Sequence, residues 1–219
     1  MTYHSRNAAG AEVHGEVCAG LSPSGRKTAQ MPEESRRREA HGAEPRGSDP
    51  APVTKLIGYV IDRHHVYARR QVALIRALLA ELPEAQEKSH PELSRVRGLF
   101  KLLRQELLFH MEKEEVSIFP RIIRAEAAAC PDDPRPGSDP GTMGDDVSML
   151  LHEHDDLCEL LDEIRAATND YTSPGDACES LRNLYRVLRE LEEDLLQHIC
   201  FEDYVLFPRA LGTKRPGRA

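Results

Sequence analysis

The sequence predicts an all-α protein that folds as an up-down four-helix bundle behind a disordered N-terminal segment. Apolar residues recur every three or four positions along four separate segments, which is the spacing of helices that bury one face. No segment shows the strict alternation that is typical of a β-strand. The second half of the folded region also repeats phrases of the first half, as two copies of one helical hairpin would.

The chain divides into a disordered segment, a bundle and a tail. Residues 1–52 are polar, charged and rich in glycine and proline, so we expect them to be disordered because they cannot bury a helical face. The bundle is expected over residues 53–211. Its predicted parts and the basic tail that follows are hairpin 53–130, linker 131–144, hairpin 145–211 and tail 212–219.

The four helices can be placed from their apolar stripes and their start signals. The first helix is predicted from about Val53 to Gln86. The second begins after Pro91, because proline is favoured in the first turn of a helix. The third begins near Asp145, and the fourth begins after the turn that ends at Gly175.

The composition excludes several classes of protein. With 29 basic and 37 acidic residues among 219, the net charge is −8, and no basic run suggests that the chain binds nucleic acid or an anionic membrane. No apolar run approaches the roughly 18 residues that span a bilayer, and the N-terminus lacks the apolar core of a signal peptide. The five cysteines are widely spread without a C-x-x-C pair, which favours a reducing cytoplasm.

Two phrases occur twice in the sequence, H-x3-E-x4-F-P-R and H-x9-I-R-A. In the first phrase the histidine and the glutamate lie four residues apart, so they share one face of a helix. The four histidines that begin these phrases lie 44 or 45 residues apart, which is the length of one helix and its connection. The histidines and glutamates in these phrases are His65, His110, Glu114, His154, His198 and Glu202.

These six residues stand where the apolar stripes require leucine or isoleucine. An unpaired buried carboxylate costs several kcal/mol, and a metal cation removes that cost. A single H-x3-E pair is common and can be a surface ion pair, and a single inward histidine is more often a core residue. Two matched copies with two further phased histidines favour a metal site, and imidazole with carboxylate suits iron, manganese or zinc.

The number of predicted ligands suggests two metal ions. If each glutamate bridges both ions, each ion receives two imidazole nitrogens and two carboxylate oxygens. A bridging oxide or hydroxide then leaves one position per ion open for a small molecule. The Phe-Pro pairs follow each glutamate, and we expect Pro120 and Pro208 to kink or end their helices. We expect Phe119 and Phe207 to shield the site from water or simply to close the end of the bundle.

These motifs resemble the hemerythrin-like (HHE) superfamily, and most closely its iron–sulfur cluster repair di-iron proteins. The resemblance rests on H-M-E-K-E-E from His110, H-P-E-L from His90 and E-H-D around His154, and it spans about residues 53–211. It implies that the four phased histidines, with His65 rather than His64, bind iron. It also implies that the two phased glutamates bridge two iron ions.

The function implied by this resemblance is the repair of iron–sulfur proteins damaged by oxidation or by nitric oxide, through donation of iron in the cytoplasm. The residues alone leave three other functions open. The protein could carry or sense O2 or NO at the open position, or it could be a di-iron oxidoreductase. It could also be a metal-free structural bundle.

Two positions depart from the family pattern. The family carries a further histidine 21 residues after the first one, and this sequence has Gln86 there. We therefore expect one iron ion to be more open or more weakly held. His90 could compensate, although its place in H-P-E-L favours a role at the helix start. Many family members carry adjacent cysteines near the N-terminus, but residues 1–52 contain only Cys18, so we expect that domain to be absent.

Overall fold

The computed structural model describes residues 51–128 and 140–212, and every regular element in these ranges is helical. They form four long helices that pack as a bundle, so the predicted all-α bundle is confirmed. The expectations for residues 1–50, for linker residues 131–139 and for tail residues 213–219 lie outside the described residues. No described helix combines the length and the apolar character needed to cross a membrane.

Three of the four bundle helices contain a π-helical segment of five or six residues. The first bundle helix comprises α1, π1 and α2, and the second comprises α4, π2 and α5. The third is α6, and the fourth comprises α7, π3 and α8. In chain order the elements are α1 (Val53–Tyr59), π1 (Val60–His65), α2 (Val66–Glu81), α3 (Glu84–Ser89), α4 (Glu92–Lys113), π2 (Glu114–Ile118), α5 (Phe119–Ala128), α6 (Pro140–Ala167), α7 (Glu179–Phe201), π3 (Glu202–Leu206) and α8 (Phe207–Ala210).

Two helix boundaries differ from the sequence-based expectation. The first bundle helix ends at Glu81 rather than near Gln86, because Leu82 precedes a proline and adopts an extended conformation. The third begins at Pro140 rather than near Asp145, so residues 140–144 of the expected linker are helical. Proline is favoured at such a helix start because the first N–H groups of a helix lack intrahelical partners.

The Phe-Pro pairs do not end their helices. The helices continue past Pro120 and Pro208, and each proline directly follows the first residue after a π-helical segment. A proline has no N–H to give the carbonyl four residues earlier, and the wider π-helical winding accommodates this loss. Because Glu114 and Glu202 are the first residues of π2 and π3, this irregular winding falls on the predicted metal ligands.

The closest helix packing joins the two halves of the chain. The first bundle helix packs along the fourth, and the second packs along the third. The buried apolar side chains form two clusters. The larger cluster lies among α2, α4, α6 and α7. The smaller cluster lies among α1, α5, the start of α6, and the residues around π3 and α8. The six predicted ligands lie between these clusters in all four helices, so apolar side chains separate them from solvent at both ends.

The larger cluster should dominate the stability of the metal-free bundle. Leu103→Ala removes a side chain that is fully buried in it, and we expect the free energy of unfolding to fall by about 2–5 kcal/mol. The neighbouring Leu102 is 50 % exposed, and Leu102→Ala should change the same quantity by less than about 0.5 kcal/mol. Urea unfolding followed by circular dichroism measures both, and equal losses would contradict this description of the core.

Candidate metal centre

The six predicted ligands converge between the two apolar clusters. Each bundle helix contributes one histidine, and the second and fourth also contribute one glutamate each, one turn further along. All six side chains are at most 2 % exposed. The convergence follows from the sequence spacing, because residues four apart on a helix project to the same face.

The histidines meet in two pairs that follow the closest helix contacts. The Nε2 atoms of His65 and His198 lie 3.2 Å apart, across the first and fourth bundle helices. The Nε2 atoms of His110 and His154 lie 3.1 Å apart, across the second and third. In both pairs the Nε2 atoms point toward the centre of the bundle, which leaves the Nδ1 atoms on the outside.

Each glutamate extends one carboxylate oxygen toward each histidine pair. Glu114 places Oε2 3.3 Å from the Nε2 atom of His65 and Oε1 3.5 Å from that of His110. Glu202 places Oε1 3.1 Å from the Nε2 atom of His198 and Oε2 3.2 Å from that of His154. The carboxylates therefore span the two histidine pairs, as the predicted bridging arrangement requires.

Two groups of possible ligand atoms result, and in each group all the atoms lie within 4.8 Å of one another. Position A comprises His65, His198 and both glutamates, and position B comprises His110, His154 and both glutamates. Each position thus offers two imidazole nitrogens and two carboxylate oxygens. This set of donors suits iron, manganese or zinc better than metals that prefer soft thiolates.

The surroundings of the carboxylate oxygens show whether a cation fits this site. All four oxygens of Glu114 and Glu202 are buried, and none forms a hydrogen bond with a described group. A charged carboxylate in such surroundings is costly unless a cation is beside it. The residues present therefore fit a metal, and the two groups of possible ligand atoms share both carboxylates.

The pKa values show how the glutamates behave without a cation. Burial and the neighbouring carboxylate of Glu202 raise the pKa of Glu114 well above its usual value. Burial alone would also raise the pKa of Glu202, but the charges of the neighbouring His198 and His154 hold it well below the usual value. Opposed shifts of this kind are expected when two carboxylates share one dry space.

Three histidines are oriented by a second ring of carboxylates. A hydrogen bond between the outer nitrogen and a carboxylate fixes the ring and makes the inner nitrogen a better metal donor. The bond to His110 and that to Lys113 also lower the pKa of Glu153 to about 2. The three pairs are His65 Nδ1 with Glu115 Oε1 at 2.6 Å, His110 Nδ1 with Glu153 Oε2 at 2.9 Å, and His154 Nδ1 with Asp203 Oδ1 at 2.7 Å.

The roles of these outer carboxylates were not predicted from the sequence. The sequence alone assigns Glu115 no role, yet its side chain contacts the buried His65 and also Arg69. A signal was present in the repeat, since Glu115 and Asp203 each directly follow the phased glutamate of their own copy. An acidic residue at the same place in both copies indicates a shared role.

The phenylalanines of the Phe-Pro pairs stack on two of the candidate histidine ligands. The ring of Phe119 stacks on His65, with centroids 5.9 Å apart and planes at 17°. The ring of Phe207 stacks on His154 at 6.0 Å and 17°. Both phenylalanines are buried, so they limit access of water from the side of the smaller apolar cluster.

The expectation that Gln86 opens one metal position is wrong. Gln86 lies 21 residues after His65, beyond the 16-residue helix α2, which is about 24 Å long. The Gln86 side chain instead accepts a hydrogen bond from the backbone N–H of Cys178 and donates one to the carbonyl of Asp176. His90 lies at the same distant end, where it faces Asp176.

A four-helix bundle that encloses paired histidine and glutamate ligands defines a class of helical metal-binding proteins. The family model described as the Hemerythrin HHE cation binding domain matches residues 56–210. The chain belongs to this family, and domains of the family bind metal. The resemblance inferred from the motifs is thereby confirmed.

Curated relatives of the chain carry the name Iron-sulfur cluster repair protein YtfE. The protein from Edwardsiella ictaluri (strain 93-146) is 37% identical over 165 residues, which cover 74% of this chain and 67% of the relative. The protein from Citrobacter koseri is 36% identical over 167 residues, covering 74% of this chain and 68% of the relative. A protein from Escherichia coli O1:K1 / APEC is similar to the same extent.

The buried glutamates should be required for metal binding and should lower the free energy of unfolding of the metal-free protein. We expect Glu114→Leu combined with Glu202→Leu to abolish metal binding and to raise the free energy of unfolding of the metal-free protein by about 1–4 kcal/mol. Elemental analysis and urea unfolding with a chelator present measure the two effects. Glu112→Leu, at an exposed position two residues from Glu114, is the control and should leave the metal content unchanged. Retention of the metal by the double variant would contradict the site.

Proposed function

We propose that the chain binds two iron ions and supplies iron for the repair of damaged iron–sulfur proteins. His65 and His198 would hold one ion at position A, His110 and His154 would hold the other at position B, and both glutamates would serve both positions. This proposal rests on the two buried carboxylates. Their four oxygens lie beside the inward Nε2 atoms of the histidines and have no described hydrogen-bond partner. When bound, the ions supply redox chemistry and binding of O2 or NO.

The surroundings of the site suit a cargo that must enter and leave. Glu115, Glu153 and Asp203 contact the buried histidines, yet their side chains are still partly exposed. Each of these carboxylates therefore connects a ligand to the protein surface. This connection supports exchange of iron between the cage and a recipient.

The relatives favour repair over carriage of O2 or NO. Several curated proteins that are 36% or 37% identical to this chain, over 74% of its length, are named as iron–sulfur cluster repair proteins. We extend that activity to this chain because the family match covers the helices that contain the candidate metal site. The cytoplasm is the proposed location, since a reducing compartment keeps released iron in the ferrous state.

The test is the restoration of an inactivated enzyme. A dehydratase that depends on an iron–sulfur cluster is damaged with nitric oxide and is then incubated with the iron-loaded protein. We expect more activity to return than with the same amount of free ferrous iron, because the protein delivers bound iron. The Glu114→Leu, Glu202→Leu double variant should restore no more than the free iron does. Equal restoration by the intact protein and by free ferrous iron would contradict the proposal.

A further inference from the structure

Among the described residues, one of the four candidate histidine ligands has no outer carboxylate partner. His65, His110 and His154 each bond a carboxylate through Nδ1. The Nδ1 atom of His198 is buried, and no described group forms a hydrogen bond with it. This difference distinguishes the two metal positions, because position B contains two histidines with outer carboxylates and position A contains one.

The internal repeat identifies the residue that causes the difference. Glu153 directly precedes His154 and bonds His110 from the neighbouring helix. The corresponding residue in the first half directly precedes His65, and it is His64. By the same symmetry His64 lies beside His198, so the chain has an imidazole at the place where the other half has a carboxylate.

The orientation of His64 prevents it from replacing that carboxylate. Its ring lies parallel to the ring of His198, with planes at 6° and centroids 5.3 Å apart. A stacked ring presents its face to its neighbour, whereas a hydrogen bond to Nδ1 needs an acceptor near the plane of the ring. Asp194 holds His64 in this orientation, with Oδ2 3.2 Å from the Nδ1 atom, and Arg63 donates to the same carboxylate at 2.7 Å.

The outer partner of a metal-bound histidine affects how tightly the metal is held. A carboxylate that accepts from Nδ1 fixes the ring and strengthens donation from Nε2. Loss of such a partner typically weakens metal binding by about 10- to 100-fold. Position A has lost one of its two partners, while position B has kept both.

We propose that His64 makes position A the weaker and faster-releasing of two otherwise matched iron positions. The ion held by His65 and His198 is then the one given to a recipient, and the ion at position B stays in the protein. This inference rests on the proposed function, since it assumes two iron ions in the cage. His64 acts as a positioning residue, because it affects the ion through His198.

Release of ferrous iron to a chelator tests the inference without any repair assay. The full-length protein is loaded with ferrous iron under anaerobic conditions, its iron content is measured, and a chelator specific for ferrous iron is added in excess. We expect two phases of equal amplitude, one ion each, with rates that differ by about 10-fold or more. Because only ferrous iron is used, no oxidation or reduction accompanies release.

Two substitutions at matched places should move the two rates in opposite directions. In His64→Gln, the amide oxygen can accept from Nδ1 of His198 while the amide N–H donates to Asp194, so the fast phase should slow toward the slow one. In Glu153→Leu, His110 loses its acceptor, so the slow phase should accelerate by about 10-fold or more. His152→Gln places the same substitution at an exposed position and should leave both rates unchanged.

The outcomes separate this inference from the proposed function. Fewer than two iron ions per chain would contradict the proposed function, and the inference would fail with it. Two ions released at a single rate would overturn the inference alone, as would a folded His64→Gln protein whose two rates are unchanged. If His64→Gln does not fold, the Glu153→Leu protein provides the test. An unaltered slow phase in the Glu153→Leu protein also overturns the inference.

Discussion

The structure depends on one constraint, which is the burial of two carboxylates in the middle of an apolar core. Glu114 and Glu202 are fully buried, and their oxygens form no hydrogen bond with a described group. A bundle of this size cannot place two such charges side by side without a compensating cation. The inward Nε2 atoms, the outer carboxylates and the two stacked phenylalanines all serve to hold or protect that cation site.

The helices and the six candidate ligands could be predicted because both leave periodic signals. Apolar residues at three- and four-residue spacing indicate where each helix lies and which face it buries. Histidine or glutamate on that face then stands out, as at His154 among leucines. The internal repeat strengthened the prediction, since chance rarely places the same polar residues at matching positions twice.

Other features could not be predicted because periodicity does not encode them. The π-helical segments differ from an α-helix in hydrogen bonding and leave the apolar stripe almost unchanged, so Pro120 suggested a kink instead. Glu115 resembles a solvent-facing charge until the neighbouring helix is in place. Gln86 was assigned to the site from a family spacing alone, although a 16-residue helix separates it from His65.

The central claim is that this cage holds two iron ions between the two histidine pairs. The most direct measurement is anomalous diffraction at the iron absorption edge from crystals of protein purified from iron-supplied cells. The account predicts two peaks per chain, one beside His65 and His198 and the other beside His110 and His154, both next to the glutamates. A cage without iron, a single central peak, or iron bound only elsewhere on the protein would contradict it.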